Sequence, residues 1–312
     1  MNLSRLLIPI APEQTINQLF HQAFKSANQR SSHVTLLTVI EELAELKEVA
    51  HYSSKTLDAL NRATTAYQDT LKQHVQSLSK QYPNIQFHTH IRIGIPFIEI
   101  LKEAKDSNAS MIVIDSHREE KDKACQRGSS TLNLMRKSEV PIWSLSLDST
   151  NVNHIVAAID LTNQDDDEFN ARIVALGIEF CSVAGAELTL CHAWRLESEG
   201  FLRKWNGYDD LDIALLSEKM RSERIERLNS LLMHHASSPI VQHVKLLEGE
   251  PRDILPSYIA DNGIDLVILG SLSRTGVAGF LMGNTAESMV NKLNCSVLTL
   301  KPDSFKSPVF GR

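Results

Sequence analysis

The chain has 312 residues, a formal net charge of −6, 42% hydrophobic residues and 22% charged residues. This length suits two domains of ordinary size, and the composition is typical of a soluble globular protein. The sequence contains no run of 18 apolar residues and no basic stripe, so we expect neither a membrane span nor direct binding of nucleic acid.

The first half alternates strand-like and helix-like segments, which is the pattern of a parallel sheet with crossover helices. Apolar runs predict strands at residues 6–10, 34–40, 85–93, 111–114 and 142–145. Helical spacing predicts a first helix that begins near Pro12 and a long amphipathic helix over residues 55–82.

The second half repeats this order, with a long helix predicted over residues 213–236. Strands are predicted at residues 155–159, 187–193, 241–247, 266–269 and 296–300. An offset of 155 residues, held without a gap across about fifty residues, aligns the last parts of the two halves, for example Gly94-Ile95-Pro96 with Gly249-Glu250-Pro251. We therefore predict two tandem α/β domains, residues 1–148 and 152–304. Each is a Rossmann-like five-stranded parallel sheet with helices on both faces and a ligand crevice at the carboxyl ends of the strands.

The cysteines indicate a reducing environment. Cys125, Cys181, Cys191 and Cys295 show no C-x-x-C spacing, and two of them lie in apolar strand contexts. Free buried thiols explain them better than disulfides or zinc. The N-terminus runs directly into a strand-like segment, so we expect no signal peptide and a cytoplasmic protein.

A glycine-spaced loop follows the predicted strand at residues 266–269. Gly270 allows a close backbone approach because it has no Cβ, and Gly283 precedes Asn284, which suits a helix N-cap. The N–H groups at a helix N-terminus can bind phosphate. A tight turn followed by a capped helix explains the same residues, so spacing alone leaves both interpretations open. No lysine follows Gly283, so this is not a Walker A loop.

The loop resembles the G-x-x-G-x9-G-[ST] signature of the universal stress protein family. Gly270, Ser273, Gly283 and Asn284 carry the likeness, which extends to Asp160 at the end of a strand and to the tandem layout of the chain. Ser273 stands where nucleotide-binding members have glycine, and Asn284 stands where they have serine or threonine.

The resemblance implies a stress-response protein whose second domain binds ATP or a related adenine nucleotide, with Mg²⁺ present only when nucleotide is bound. It also implies that the two domains pair within one chain, and it leaves a homo-oligomer and a slow ATPase activity open. No catalytic residue and no resident metal are expected. The nucleotide-binding residues that it implies are Asp160, His192, Gly270, Ser273, Arg274, Gly283, Asn284 and Thr285.

The first domain has lost the equivalent residues. Asp115 replaces the first loop glycine, Arg118 the second, and Ala11 stands in the position of Asp160. A carboxylate about 4 Å from a phosphate opposes it by roughly 4 kcal/mol at a surface-like dielectric. That is about three orders of magnitude in affinity. We therefore expect the first domain to be a scaffold.

Other candidate sites are weaker. The acidic run 165–168 suits the start of a helix as well as it suits Mg²⁺, and His88 with His90 lacks other metal-ligating neighbours in the sequence. The alternative function is a binding module of another class, which holds an apolar ligand or a partner protein in the crevices between sheet and helices.

Overall fold

The computed structural model describes residues 4–49, 53–115, 127–146, 151–162, 166–205, 207–233, 240, 242–271 and 282–311, without the side chains of Asn284 and Thr285. Its residues form two compact units. Unit 1 comprises Met1–Asn151, Ser271–Gly283 and Asn294–Arg312, and unit 2 comprises Val152–Gly270 and Asn284–Leu293.

Unit 1 contains a sheet of six strands in the order β3-β2-β1-β4-β5-β10. The strands are β1 (Arg5–Pro9), β2 (His33–Ile40), β3 (Gln86–Ile93), β4 (Met111–Asp115), β5 (Ile142–Leu145) and β10 (Ser296–Leu300). The helices are α1 (His21–Gln29), α2 (Ala44–Val49), α3 (Ser54–Gln81), α4 (Pro96–Asp106) and α5 (Ser129–Lys137). All pairs are parallel except the antiparallel pair of β5 and β10.

Unit 2 contains four parallel strands in the order β9-β6-β7-β8. The strands are β6 (His154–Ala158), β7 (Glu187–Trp194), β8 (Gln242–Glu248) and β9 (Leu266–Gly270). The helices are α6 (Asp167–Ala184), α7 (Glu199–Trp205), α8 (Asp210–Met233), α9 (Pro251–Asp261) and α10 (Asn284–Lys292). The predicted α/β fold with tandem repeats and mainly parallel strands is confirmed.

The two sequence repeats pair through their last strands. In unit 1, Leu298 of β10 lies opposite Trp143 of β5, and Trp143 is buried. The guanidinium of Arg127 is also buried, and it donates hydrogen bonds to Ser144 Oγ (3.1 Å) and to the carbonyl of Cys295 (2.8 Å). The strand pair confirms the predicted pairing of the repeats within one chain.

The C-terminal segment that follows β10 also packs on unit 1. Lys301 is buried, and its ammonium donates to the carbonyls of Met135 and Ser138 at the end of α5. The backbone N–H of Ser307 donates to Glu139 Oε1 at 2.7 Å, and Lys105 of α4 lies 4.4 Å from the centre of the Phe310 ring. Residues 301–310 are therefore an integral part of unit 1.

One predicted helix begins later than expected. Residues 12–17 are not helical, and α1 begins at His21 after a short 3-10 turn, Gln18–Phe20. Asn17 caps that turn, because its Oδ1 accepts a hydrogen bond from the N–H of Leu19 at 3.0 Å. The side chain of Gln14 accepts from the N–H of Ala11 (3.1 Å), which holds the preceding residues in a turn.

Within the described residues, no helix is long and apolar enough to cross a membrane. Cys181, Cys191 and Cys295 are buried and form no disulfide within the described residues, and Cys125 lies outside those residues. Burial raises the pKa of the Cys181 and Cys191 thiols to about 12, so both are neutral at physiological pH.

Candidate functional site

Three of the predicted site residues lie at one edge of the unit 2 sheet. Asp160 follows β6, and Gly270 is the last residue of β9. These strands are neighbours, with Ala158 opposite Leu269. His192 lies near the end of β7, on the other side of β6, and contacts the carbonyl of Ile159. This is the edge at which doubly wound sheets bind ligands.

Asp160 is held in a local turn. Its Oδ1 accepts hydrogen bonds from the backbone N–H of Thr162 (2.9 Å) and from the hydroxyl of Thr162 (2.7 Å). An aspartate that bonds to the backbone two residues later stabilises a turn in this way. The carboxylate therefore has a defined position just beyond the sheet edge.

Asn170 fixes the backbone of the same turn, and the sequence interpretation missed it. This residue of α6 is only 1% exposed. Its amide accepts from the N–H of Asp160 (3.2 Å) and donates to the carbonyl of Asp160 (2.7 Å). The signal in the sequence is an asparagine inside an otherwise apolar helix face, because such a buried amide needs hydrogen-bond partners.

His192 is a buried, neutral imidazole. Its Nδ1–H donates to the carbonyl of Ile159 at 3.1 Å, which leaves Nε2 as an acceptor, and Nε2 has no partner among the described residues. Its pKa is lowered to about 4, mainly by burial and also by the positive charges of Arg224 and Arg227, against the opposing effect of the Ile159 hydrogen bond. Through this hydrogen bond His192 holds the backbone of Ile159, the residue immediately before Asp160.

Gly270 is required by packing. A Cβ at this position would lie 2.6 Å from Cε1 of Phe169, which is in the first turn of α6. Such a distance is far below van der Waals contact, so the absence of a side chain lets α6 approach the end of β9. This is a structural reason for the glycine, independent of any ligand.

The loop that follows is described only at its ends. Ser273 and Arg274 lie outside the described residues, as do the side chains of Asn284 and Thr285. In unit 1, the N–H of Gly283 donates to the carbonyl of Ser271 at 3.2 Å. That N–H is engaged within the chain. A helix begins close to the predicted place, since α10 starts at Asn284 with Glu287 in its first turn, but Asn284 is its first residue and not its N-cap.

The acidic residues at the start of α6 serve the fold. Asp167 Oδ1 lies 2.5 Å from Nη2 of Arg227 on α8, and Nη1 of the same arginine donates to the carbonyl of Leu161 at 2.6 Å. Asp165 lies outside the described residues. Across the described part of the chain, no three histidine, cysteine, aspartate or glutamate residues form a group that could hold a metal ion.

The first repeat carries a carboxylate where the second has a glycine. Asp115 is the last residue of β4, and its Oδ2 accepts a hydrogen bond from Gln14 Nε2 at 2.9 Å. Ala11 stands in the position of Asp160, and Arg118 lies outside the described residues. A cavity of about 550 Å³ in unit 1 lies elsewhere, beside the edge strand β3. It is lined by Lys47, Thr64, Gln68, residues 89–93, Glu99 and Glu103.

Comparisons with known proteins agree with this arrangement. The model of the universal stress protein family matches the chain twice, at residues 2–145 and 151–301. Universal stress protein E of Photorhabdus laumondii is 22% identical over 99% of this chain and 98% of its own length. The universal stress protein E homolog of Haemophilus influenzae is 23% identical over 97% and 98%, respectively.

Solved structures resemble the chain along nearly its whole length. A protein from Pseudomonas aeruginosa PAO1 has a TM-score of 0.70 at 20% identity, covering 96% of this chain and 93% of its own. A universal stress protein from Archaeoglobus fulgidus has a TM-score of 0.58 at 17% identity, covering 96% and 99%. At these identities the likeness concerns the fold.

Proposed function

The chain belongs to the universal stress protein family, and on that premise we propose that it is a cytoplasmic stress-response protein whose second repeat binds ATP or a related adenine nucleotide. We further propose domains of residues 1–148 and 152–304, an assignment that the two family matches support. The protein acts by binding, and it is not an enzyme.

The observation that carries nucleotide binding is the meeting of Asp160, His192 and Gly270 at the carboxyl edge of the unit 2 sheet. The Asp160 carboxylate is fixed by its turn and can accept hydrogen bonds from ribose hydroxyls. His192 is a positioning residue, because it holds the backbone at Ile159 immediately before that carboxylate.

The phosphates are assigned to the glycine loop, through Ser273, Arg274, Gly283, Asn284 and Thr285. Hydroxyl, guanidinium and amide groups all donate hydrogen bonds to phosphate oxygens. The N–H of Gly283 is already bound to Ser271. The donors for phosphate therefore come from the rest of the loop and from the start of α10. Mg²⁺ accompanies the nucleotide and has no site of its own.

The first repeat acts as a scaffold. Its Asp115 carboxylate lies at the strand end that corresponds to Gly270 and is held there by Gln14. Repulsion between this charge and a phosphate about 4 Å away is worth roughly 4 kcal/mol, which is enough to abolish useful affinity. The expected stoichiometry is one nucleotide per chain.

Isothermal titration calorimetry with ATP tests the proposal. Asp160→Asn keeps the side-chain oxygen that Thr162 binds but removes the charge, and we expect its affinity for ATP to fall at least tenfold. Asp115→Asn is the matched control, and the second repeat of this variant should keep its wild-type affinity for ATP. Absence of heat with wild-type protein at sub-millimolar concentration would contradict nucleotide binding. Two bound nucleotides per chain would contradict the scaffold role.

Phosphate release distinguishes binding from turnover. We expect no inorganic phosphate above the blank when the ATP-loaded protein is incubated for hours. Release that is lost in Asp160→Asn would instead identify a slow ATPase in which this carboxylate positions water.

A second candidate function is the binding of an apolar ligand or a partner protein. It is favoured by large apolar side chains that unit 2 exposes on α7 and α8: Phe201, Trp205, Leu211 and Leu215 are 58–67% exposed. Exposed apolar patches of this kind mark interaction sites. Native mass spectrometry of freshly purified protein separates the two functions, because a nucleotide and an apolar ligand differ in mass.

A further inference from the structure

Two histidines of unit 1 lie side by side on neighbouring strands. His33 is the first residue of β2 and is opposite Gln86 of β3, while His88 lies two residues further along β3, opposite Thr35. Side chains two residues apart on a strand lie on the same face, so His33 and His88 are diagonal neighbours on one face of the sheet.

The nitrogen atoms of the two rings face each other. The ring planes differ by only 9°, and the ring centres are 5.7 Å apart. His33 Nδ1 and His88 Nε2 are 3.5 Å apart, much closer than the ring centres. His88 is exposed and His33 is half-buried, so solvent ions can reach both nitrogens.

This separation is long for a hydrogen bond and close to that of two nitrogen ligands of one metal ion. Good hydrogen bonds from a ring N–H have heavy-atom distances of about 2.9–3.0 Å. Two imidazole nitrogens bound to one ion at about 2.0–2.1 Å, with tetrahedral angles, are about 3.3–3.4 Å apart. The observed 3.5 Å is close to this separation, and both rings turn on binding so that their lone pairs converge on an ion beside the line that joins the two nitrogens.

We infer that His33 and His88 form a binding site for a divalent transition-metal ion. Imidazole nitrogen is a preferred ligand of Cu²⁺, Ni²⁺ and Zn²⁺, and for such ligands Cu²⁺ binds most tightly. The described residues supply no third histidine, cysteine or carboxylate to this pair. Water completes the coordination, and the ion exchanges readily with solvent.

His90 provides a matched control on the same strand. It lies two residues beyond His88, and its Nδ1 is 2.6 Å from Oε1 of the buried Glu103. The sequence places His88 and His90 on one face of a strand, but the structure gives them different partners. Removing His90 therefore leaves the pair of His33 and His88 intact.

The test is a titration of the full chain with Cu²⁺, monitored by calorimetry and by electron paramagnetic resonance. In the wild type, the Cu²⁺ ion at the tightest site should give a paramagnetic resonance spectrum with hyperfine coupling from two nitrogens. His33→Gln and His88→Gln should each weaken this site at least tenfold and remove the two-nitrogen spectrum. The double variant should lose no more than either single variant, and His90→Gln should bind like the wild type.

Three results would overturn the inference: an unchanged tightest site in His88→Gln, loss in only one of the two single variants, or equal loss in His90→Gln. Circular dichroism of each variant confirms that the fold is retained. The result is independent of the proposed nucleotide site, because ATP calorimetry on His88→Gln should match the wild type.

Discussion

The buried imidazole of His192 should make the protein sensitive to mild acid. Its pKa is about 4 in the folded state, mainly because it is buried, against an ordinary value near 6.5. Between these pH values the unfolded chain binds a proton that the folded chain does not. The contribution of His192 to the free energy of unfolding is therefore fully present above about pH 6.5, is lost as the pH falls, and reaches its minimum near pH 4.

The size of the effect follows from the shift. One pKa unit corresponds to about 1.4 kcal/mol, so the loss is about 2 kcal/mol between pH 7 and pH 5 and about 3 kcal/mol below pH 4. With a urea m-value of about 2 kcal/mol/M, the unfolding midpoint should fall by about 1 M between pH 7 and pH 5.

His192→Asn isolates this contribution, because asparagine keeps a donor for the Ile159 carbonyl and cannot be protonated. Urea unfolding at pH 7 and pH 5, monitored by the fluorescence of the tryptophans, among them Trp194, gives the urea concentration at the unfolding midpoint of each protein. The variant should lose about 2 kcal/mol less than the wild type on acidification. His154→Asn, at an exposed position, should behave like the wild type. Equal acid sensitivity of His192→Asn and the wild type would refute the reasoning.

Three further changes probe the packing. Gly270→Ala should lower the free energy of unfolding by about 1–3 kcal/mol, measured by thermal unfolding, because the added Cβ meets Phe169. Adding Phe169→Leu should recover stability. A Gly270→Ala variant as stable as the wild type would contradict the clash. Burial lowers the pKa of Lys301 to about 7, so the stability of the wild type relative to Lys301→Met, measured by urea unfolding, should rise by about 2 kcal/mol from pH 7 to pH 9. Arg127→Leu leaves Ser144 Oγ without this donor and should cost about 2–3 kcal/mol by urea unfolding, and a smaller loss would show that water replaces the guanidinium.

The repeated fold could be predicted from the sequence because its strands and helices follow the local periodicity of apolar residues. Strands buried on both faces appear as apolar runs, and β4 and β9 stand out for this reason. The start of α1 was less predictable. Pro12 suits a helix start, but the side chains of Gln14 and Asn17 hold the backbone in turns until His21. Such competition from side-chain hydrogen bonds is difficult to foresee.

The candidate site was predictable where it depends on topology. Residues that follow parallel strands collect at one sheet edge, so the placement of Asp160 and Gly270 follows from strand order. The roles of Asn170 and Phe169 at this edge were not predicted, because they depend on how closely the first turn of α6 approaches it. The sequence suggests His90 as the neighbour of His88, but in the structure His88 lies beside His33 on the adjacent strand. That placement depends on strand register, which apolar runs alone do not specify.

The pairing of β10 with β5 has a consequence for synthesis on the ribosome. Unit 1 needs residues 294–312, which are translated after all of unit 2, although most of unit 1 is translated before unit 2. At about 5–20 residues per second, the intervening 152–293 take roughly 7–30 s to translate. During that interval β5 is paired with β4 but lacks β10 on its other side, and Arg127 lacks the Cys295 carbonyl. Residues 294–312 thus complete the unit that is translated first, and a premature stop codon before residue 294 would damage that unit as well as unit 2.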